Sequence, residues 1–248
     1  MTDIDAQTPR ITAPGVTDAL RVLGAPIAVF RRIEDTGAYR WSLAVLLILV
    51  TLIGYAEVKT GLIERVVQRQ IEGQKAKLER EQRDLLGRVE LRAELEKIDK
   101  AGKFTTLTTQ IIAVAASPTY FLTSVLLIAS CLYAVVALIG RKPEYHTLVA
   151  ICVYSEFVEL AAYALRLAMM LVYRTIEVDT SLGMLATSKA GLWLSAIDPF
   201  RIWFWVLVAI GVTTTRQLSR RTAIIACVAM ALVAMAARGA KVYAPVSL

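Results

Sequence analysis

One histidine and three cysteines in 248 residues leave little from which to build a metal or redox centre. His146 has no Cys or carboxylate at ligand spacing. Cys131, Cys152 and Cys227 lie in separate apolar runs without a CxxC pair, so they read as small buried hydrophobes and not as ligands or disulfides. HExxH, GxSxG, the P-loop and the dinucleotide-binding fingerprint are absent as well. No catalytic residue, metal site or cofactor is expected, and the chain reads as a non-enzyme. A cleavable signal peptide is also lacking: the first long apolar run begins only at Trp41, without a small-residue cleavage site, and is expected to remain as a signal anchor. Basic patches with interleaved aromatics are missing too. The net charge of +7 is therefore assigned to Arg and Lys flanking hydrophobic spans, not to nucleic-acid binding.

What is abundant is apolar sequence: 56% of residues are hydrophobic and the mean hydropathy is +0.56, which excludes an ordinary soluble domain. Charge is concentrated instead of spread. Residues 57–103 hold twelve Lys/Arg and ten Asp/Glu, 22 of the 49 charged residues in the chain. The expected architecture is all-α and polytopic, with five transmembrane helices and a long helical extracytoplasmic insertion between the first two. Residues 1–19 have no apolar periodicity and are expected to be a disordered cytoplasmic tail. Residues 20–37 contain Pro26, which suits a first helical turn, and place Ile27, Phe30 and Ile33 opposite Arg31 and Arg32. This fits an amphipathic helix in the headgroup region, with a plain linker helix as the alternative. The spans are placed at 39–57, 119–140, 147–173, 199–215 and 222–237. Phe104–Gly140 is uncharged over 37 residues, too long for one span, and Ser117–Pro118 is expected to divide it into an interfacial approach helix, 104–118, and the second span. Basic residues in the short loops, Arg141 and Lys142, then Arg216, Arg220 and Arg221, place those loops in the cytoplasm together with the N-terminus. The insertion and the C-terminus then fall outside.

The insertion, 58–103, lacks proline and carries i,i+4 pairs such as Glu79/Arg83 and Glu96/Lys100, so it should be helical. Its apolar line is thin: Ile71, Leu78, Leu85 and Val89, after which Arg92 breaks the heptad. One straight rod over residues 57–100 would rise about 66 Å, and the 18 residues that follow could return at most about 65 Å even fully stretched. Two arms breaking near Gly73 or Gly87 are expected. They serve either as a partner-docking element, with those four apolar residues as the candidates, or as a solvated hairpin that only joins two spans. Within the third span, Glu156, Glu159 and Arg166 fall on one helical face, which cannot look at lipid. An interhelical polar cluster with Arg166 or Arg201 as counter-charge is one reading. The other is an ion or proton path, which would make the chain a stand-alone transporter or channel.

Residues 194–221, LSAIDPFRIWFWVLVAIGVTTTRQLSRR, resemble the signature of the bacterial branch of the Yip family, Ypt-interacting membrane proteins with five helices. Asp198, Pro199, Phe200, Trp203 and Gly211 carry the likeness. Pro26 and Phe30, within the segment Ala25–Arg32, and the stretch Tyr145–Tyr154 add to it. Relatives often have a proline where this chain has Ser155–Phe157, and the eukaryotic trafficking members lack the long charged loop. The resemblance implies a multi-pass protein of the bacterial inner membrane. It also implies an accessory role beside an ABC exporter of the macrolide-exporter type, with the exporter's permease/ATPase and a periplasmic adaptor as partners. A membrane-organising factor acting on lipids through residues 20–35 is a further reading. Asp198 before Pro199 is expected to cap the fourth span.

Overall fold

A computed structural model describes residues 16–36, 39–82, 88–174, 178, 180–181 and 197–243. Among these residues there are helices and no strands: α1 (Val16–Arg21), α2 (Pro26–Thr36), α3 (Arg40–Lys59), α4 (Leu62–Gln82), α5 (Arg88–Leu138), α6 (Tyr145–Ser155), α7 (Phe157–Tyr173), α8 (Pro199–Thr214) and α9 (Arg220–Tyr243). Three stretches are long and apolar enough to cross a bilayer: α3, most of α5, and α6 with α7 taken together as Tyr145–Tyr173. With about 30 Å of hydrocarbon to cross at 1.5 Å per residue, the 20 residues of α3 just suffice. α8 is apolar but shorter, at 16 residues. The molecule is thus an all-helical membrane protein. Its contacts group into two compact bodies, one drawn from Met1–Leu47, Phe121–Tyr163 and Asp179–Leu248, the other from Ile48–Tyr120 and Ala164–Val178.

In the first body α6 is the central element, with every residue from Thr147 to Ser155 buried. α2 packs against both α6 and α8, and α9 lies along α8. Val29, Phe30 and Ile33 of α2 are fully buried. The apolar face that the sequence assigns to lipid headgroups is therefore covered by protein, and only Ile27 of the expected stripe stays half exposed. The tail also orders sooner than expected. α1 starts at Val16 because Asp18 accepts two hydrogen bonds from the Arg32 guanidinium, at 2.8 and 3.1 Å, a fork-to-carboxylate geometry that pins α1 to α2.

At the middle of the third apolar stretch only Glu156 leaves regular helix, at φ −65° and ψ −15°. The ladder holds on either side, with Glu156 N–H donating to Cys152 O at 2.9 Å and Leu160 N–H to Glu156 O at 3.0 Å. Ser155 Oγ donates back to Ile151 O at 2.8 Å, a bond that commonly bends a helix.

The second body is a helical hairpin. α3 ends in a tight turn where Gly61 takes φ +67°, Thr60 Oγ1 donates to Glu57 O, and the same hydroxyl accepts from Leu62 N–H to start α4. α5 then returns antiparallel. Gly54 lies against Ala113, Ile71 against Gly102, and Lys75 pairs with Asp99. Small residues permit the approach: a Cβ on Gly54 would stand 2.9 Å from Ala113 O. Leu62, Met170 and Val178 form a small buried cluster in the same body.

Of the two positions expected to part the arms, α4 continues through Gly73 to Gln82 and α5 begins at Arg88; residues 83–87, Gly87 among them, lie outside the described residues. The expected division at Ser117–Pro118 is absent: α5 runs unbroken for 51 residues through Pro118. Ser117 does not cap a new helix, because its hydroxyl donates back to Ala113 O at 3.4 Å while Thr119 Oγ1 donates to Ala115 O at 2.9 Å. In an apolar setting, unwinding would strand further backbone groups, so one missing N–H costs less than a break would.

Candidate functional site

Three polar contacts buried in the first body converge on the α6–α7 helix, and each reaches a different neighbour. Tyr154 OH accepts a hydrogen bond from Ser42 Oγ of α3 at 2.8 Å. Glu156 Oε1 accepts from Ser124 Oγ of α5 at 2.8 Å. Glu159 Oε1 lies 3.2 Å from Arg201 Nε of α8. Tyr154 and Glu156 are fully buried, Glu159 and Arg201 nearly so. Helices in lipid gain no hydrophobic driving force from one another, so interhelical polar bonds and close packing set their register. Three bonds to three helices make the central helix a hub.

This arrangement differs in one member from the cluster expected on a helical wheel. Arg166 lies on α7 but is exposed, in the body that also holds Glu57, with which it interacts electrostatically. Glu156 and Glu159 are brought together with Ser124 and Arg201. The wheel shows which residues share a face, but neighbouring helices decide which of them meet a partner, and α8 supplies the cation. The Arg201 guanidinium also stands 5.6 Å from the Phe204 ring centroid.

The residues that carry the family likeness divide between capping and packing. Asp198 Oδ1 accepts from Phe200 N–H at 2.9 Å with Pro199 in the first turn, as expected of a cap, and Oδ2 accepts from Thr180 Oγ1 at 3.3 Å. Such a cap contributes about 1 kcal/mol. Gly211 is where α8 meets α6 and α2: a Cβ there would stand 2.5 Å from Ile151 Cγ2 and 3.3 Å from Phe30 Cε1. Phe30 and Gly211, 181 positions apart in the sequence, are thus two halves of one contact. Pro26 opens α2. Phe200 is half-buried, and Trp203 is exposed on the outer face of α8.

The basic loops also meet. Arg141 Nη1 donates to Arg216 O at 3.1 Å, and Glu144 N–H donates to Gln217 Oε1 at 3.3 Å. Tyr39, just before α3, stacks on His146 with their polar atoms 3.3 Å apart. The segment leading into α3 and the two short loops thus share one end of this body.

Of the four docking candidates, Ile71 is spent in the hairpin seam against Gly102 and Leu78 is half-buried. Val89 is 81% exposed, and Leu85 lies outside the described residues. No group of three or more His, Cys, Asp or Glu that could hold a metal ion occurs among the described residues. Sequence reading missed Ser42, Ser124 and Asp18. The first two had a weak signal, a hydroxyl within a largely apolar run that Thr51 and Thr123 share with them, but Asp18 had none, because its partner Arg32 is 14 residues away.

No curated protein and no solved structure matches the chain. A family description does: the Yip1 domain, over residues 20–237, from the end of α1 through most of α9. Asp198, Gly211, Phe30 and helices α2 to α8 fall inside that match, and the chain belongs to the Yip1 domain family.

Proposed function

We propose that the protein is a non-catalytic accessory subunit of an ABC exporter of the macrolide-exporter type in the bacterial inner membrane. In this reading five spans insert with the N-terminus in the cytoplasm and the C-terminus in the periplasm. The bundle meets the exporter's permease/ATPase, and the charged hairpin is held in the periplasm for the adaptor. The observation that carries the reading is the α4/α5 seam. It uses Ile71 and Lys75 to close the hairpin on itself and leaves outer faces such as Glu72, Arg80, Arg92 and Glu96 exposed, a stiff pair of arms with little apolar surface of its own. Such arms suit polar recognition by another subunit better than burial in a core. The lateral commitment of Glu156 and Glu159 to Ser124 and Arg201 favours a structural role for them over a stand-alone ion path.

Affinity purification of the full chain in mild detergent tests this. An ATPase and an adaptor should co-elute, and replacing residues 62–100 by a short Gly/Ser link should abolish co-elution of the adaptor while the bundle still inserts. A chain that elutes alone, or that moves ions in liposomes by itself, would overturn the proposal, as would adaptor co-elution that survives the replacement.

A further inference from the structure

A cleft of about 630 Å³ runs along the outside of α8 and α9, with Ile27 of α2 closing one edge. Its volume is in the range of roughly 300–1,000 Å³ usual for small-molecule sites. Its polarity is graded. The side chains with polar groups at the α8–α9 turn, Thr213, Thr214 and Arg220, stand at one end, and the far end is wholly aliphatic, with Ile202, Leu232 and Met235. From Arg220 to Met235 along α9 the cleft extends 15 residues, about 22 Å at 1.5 Å per residue. One leaflet of the hydrocarbon core is about 15 Å deep. An acyl chain entering beside Arg220 therefore fits within the length of the cleft.

Charge fixes the kind of head group. Arg220 is exposed at the mouth, Arg216 and Arg221 are exposed in the same turn, and no Asp or Glu occurs anywhere after Asp198. A zwitterionic lipid offers this mouth an ammonium as well as a phosphate, whereas an anionic one offers only negative charge.

We infer that this cleft is a binding site for one anionic phospholipid, its phosphate on Arg220 and one acyl chain laid between α8 and α9. The site does not depend on the exporter partnership, and it gives the bundle a defined lipid ligand instead of a fluid annulus.

The test uses the full chain reconstituted in vesicles of equal phosphatidylglycerol and phosphatidylethanolamine, released into mild detergent and measured by native mass spectrometry. One phosphatidylglycerol per chain should survive in preference to phosphatidylethanolamine. Arg220→Ala should reduce its retention about tenfold, the scale of one lost charge-assisted hydrogen bond. Arg220→Lys should keep most of it. Ala231→Trp, which fills the cleft without touching the arginine, should also displace the lipid, whereas Ile225→Trp, on an exposed position outside the cleft, should not. Thermal melting of each variant separates loss of lipid from loss of fold. Equal retention of the two lipids by the wild type, unchanged retention in Ala231→Trp, equal loss in Ile225→Trp, or a co-purifying polypeptide seated in place of the lipid would each overturn the inference.

Discussion

Arg201→Leu should be the most damaging single substitution in the membrane bundle, lowering stability by about 3–5 kcal/mol, because it leaves the Glu159 carboxylate buried without its cation. The magnitude comes from the stranded charge and not from the worth of the pair. For the same reason Arg201→Leu combined with Glu159→Leu should recover most of the loss, since two leucines bury without a desolvation cost. Arg166→Leu is the control. Arg166 is exposed, and its replacement should stay within about 0.5 kcal/mol. Melting followed with a thiol-reactive dye reads all three once the exposed Cys131 has been replaced by serine, because Cys152 and Cys227 are buried and free and become reactive only as the bundle opens. An Arg201→Leu variant that melts with the wild type would show that the pair does not hold α8 to α7.

Gly211→Ala should destabilise the protein although alanine is the better helix former. In an open helix the exchange gains roughly 0.5–1 kcal/mol. Gly73 is such a position: it lies within α4, a methyl group added there would meet nothing within 4 Å, and Gly73→Ala should stabilise. At Gly211 the added carbon would stand 2.5 Å from Ile151 Cγ2 and 3.1 Å from Cγ1, with Phe30 Cε1 at 3.3 Å behind them. Ile151 and Phe30 are fully buried and have little room to retreat, so an overpacking cost of about 1–3 kcal/mol outweighs the gain in propensity. Gly211→Leu should exceed that range. Ile151→Ala should partly rescue Gly211→Ala by removing both of the nearest atoms, giving a double variant more stable than the two single effects would add to. Opposite signs for alanine at positions 73 and 211 in the same melting assay are the expected signature. A stabilising Gly211→Ala would mean that α8 does not approach α6 this closely.

These two contacts mark how far the fold is legible in the chain. Apolar runs and capping chemistry located the helices well. The helix expected at 199–215 is α8 at Pro199–Thr214, and Asp198 caps it as its position before Pro199 required. Pro118 misled because the bond it removes is a single one, whereas breaking α5 there would free further backbone groups in an apolar stretch that offers no solvent to take them up. α2 misled in another way. Its Phe30/Ile33 stripe is the same pattern for a lipid surface and for a protein groove, and only the glycine at position 211, far off in sequence, decides for the groove. The buried carboxylates were legible as residues that must be covered; of their partners, Arg201 was named only as an alternative to Arg166 and Ser124 was not found, because a helical wheel carries no information about which neighbour lies across from it. Ser124 and Arg201 come from helices whose placement follows from tertiary packing.

The proposed placement of the hairpin outside the cytoplasm underlies every statement about its partners. Single cysteines at Ala76 on α4 and Ala93 on α5, both exposed positions, can be introduced into a chain whose three native cysteines have been replaced. A membrane-impermeant maleimide applied to intact spheroplasts should label both, with no further gain after permeabilisation. Labelling of either position only once the membrane has been opened would place the arms in the cytosol and contradict the account.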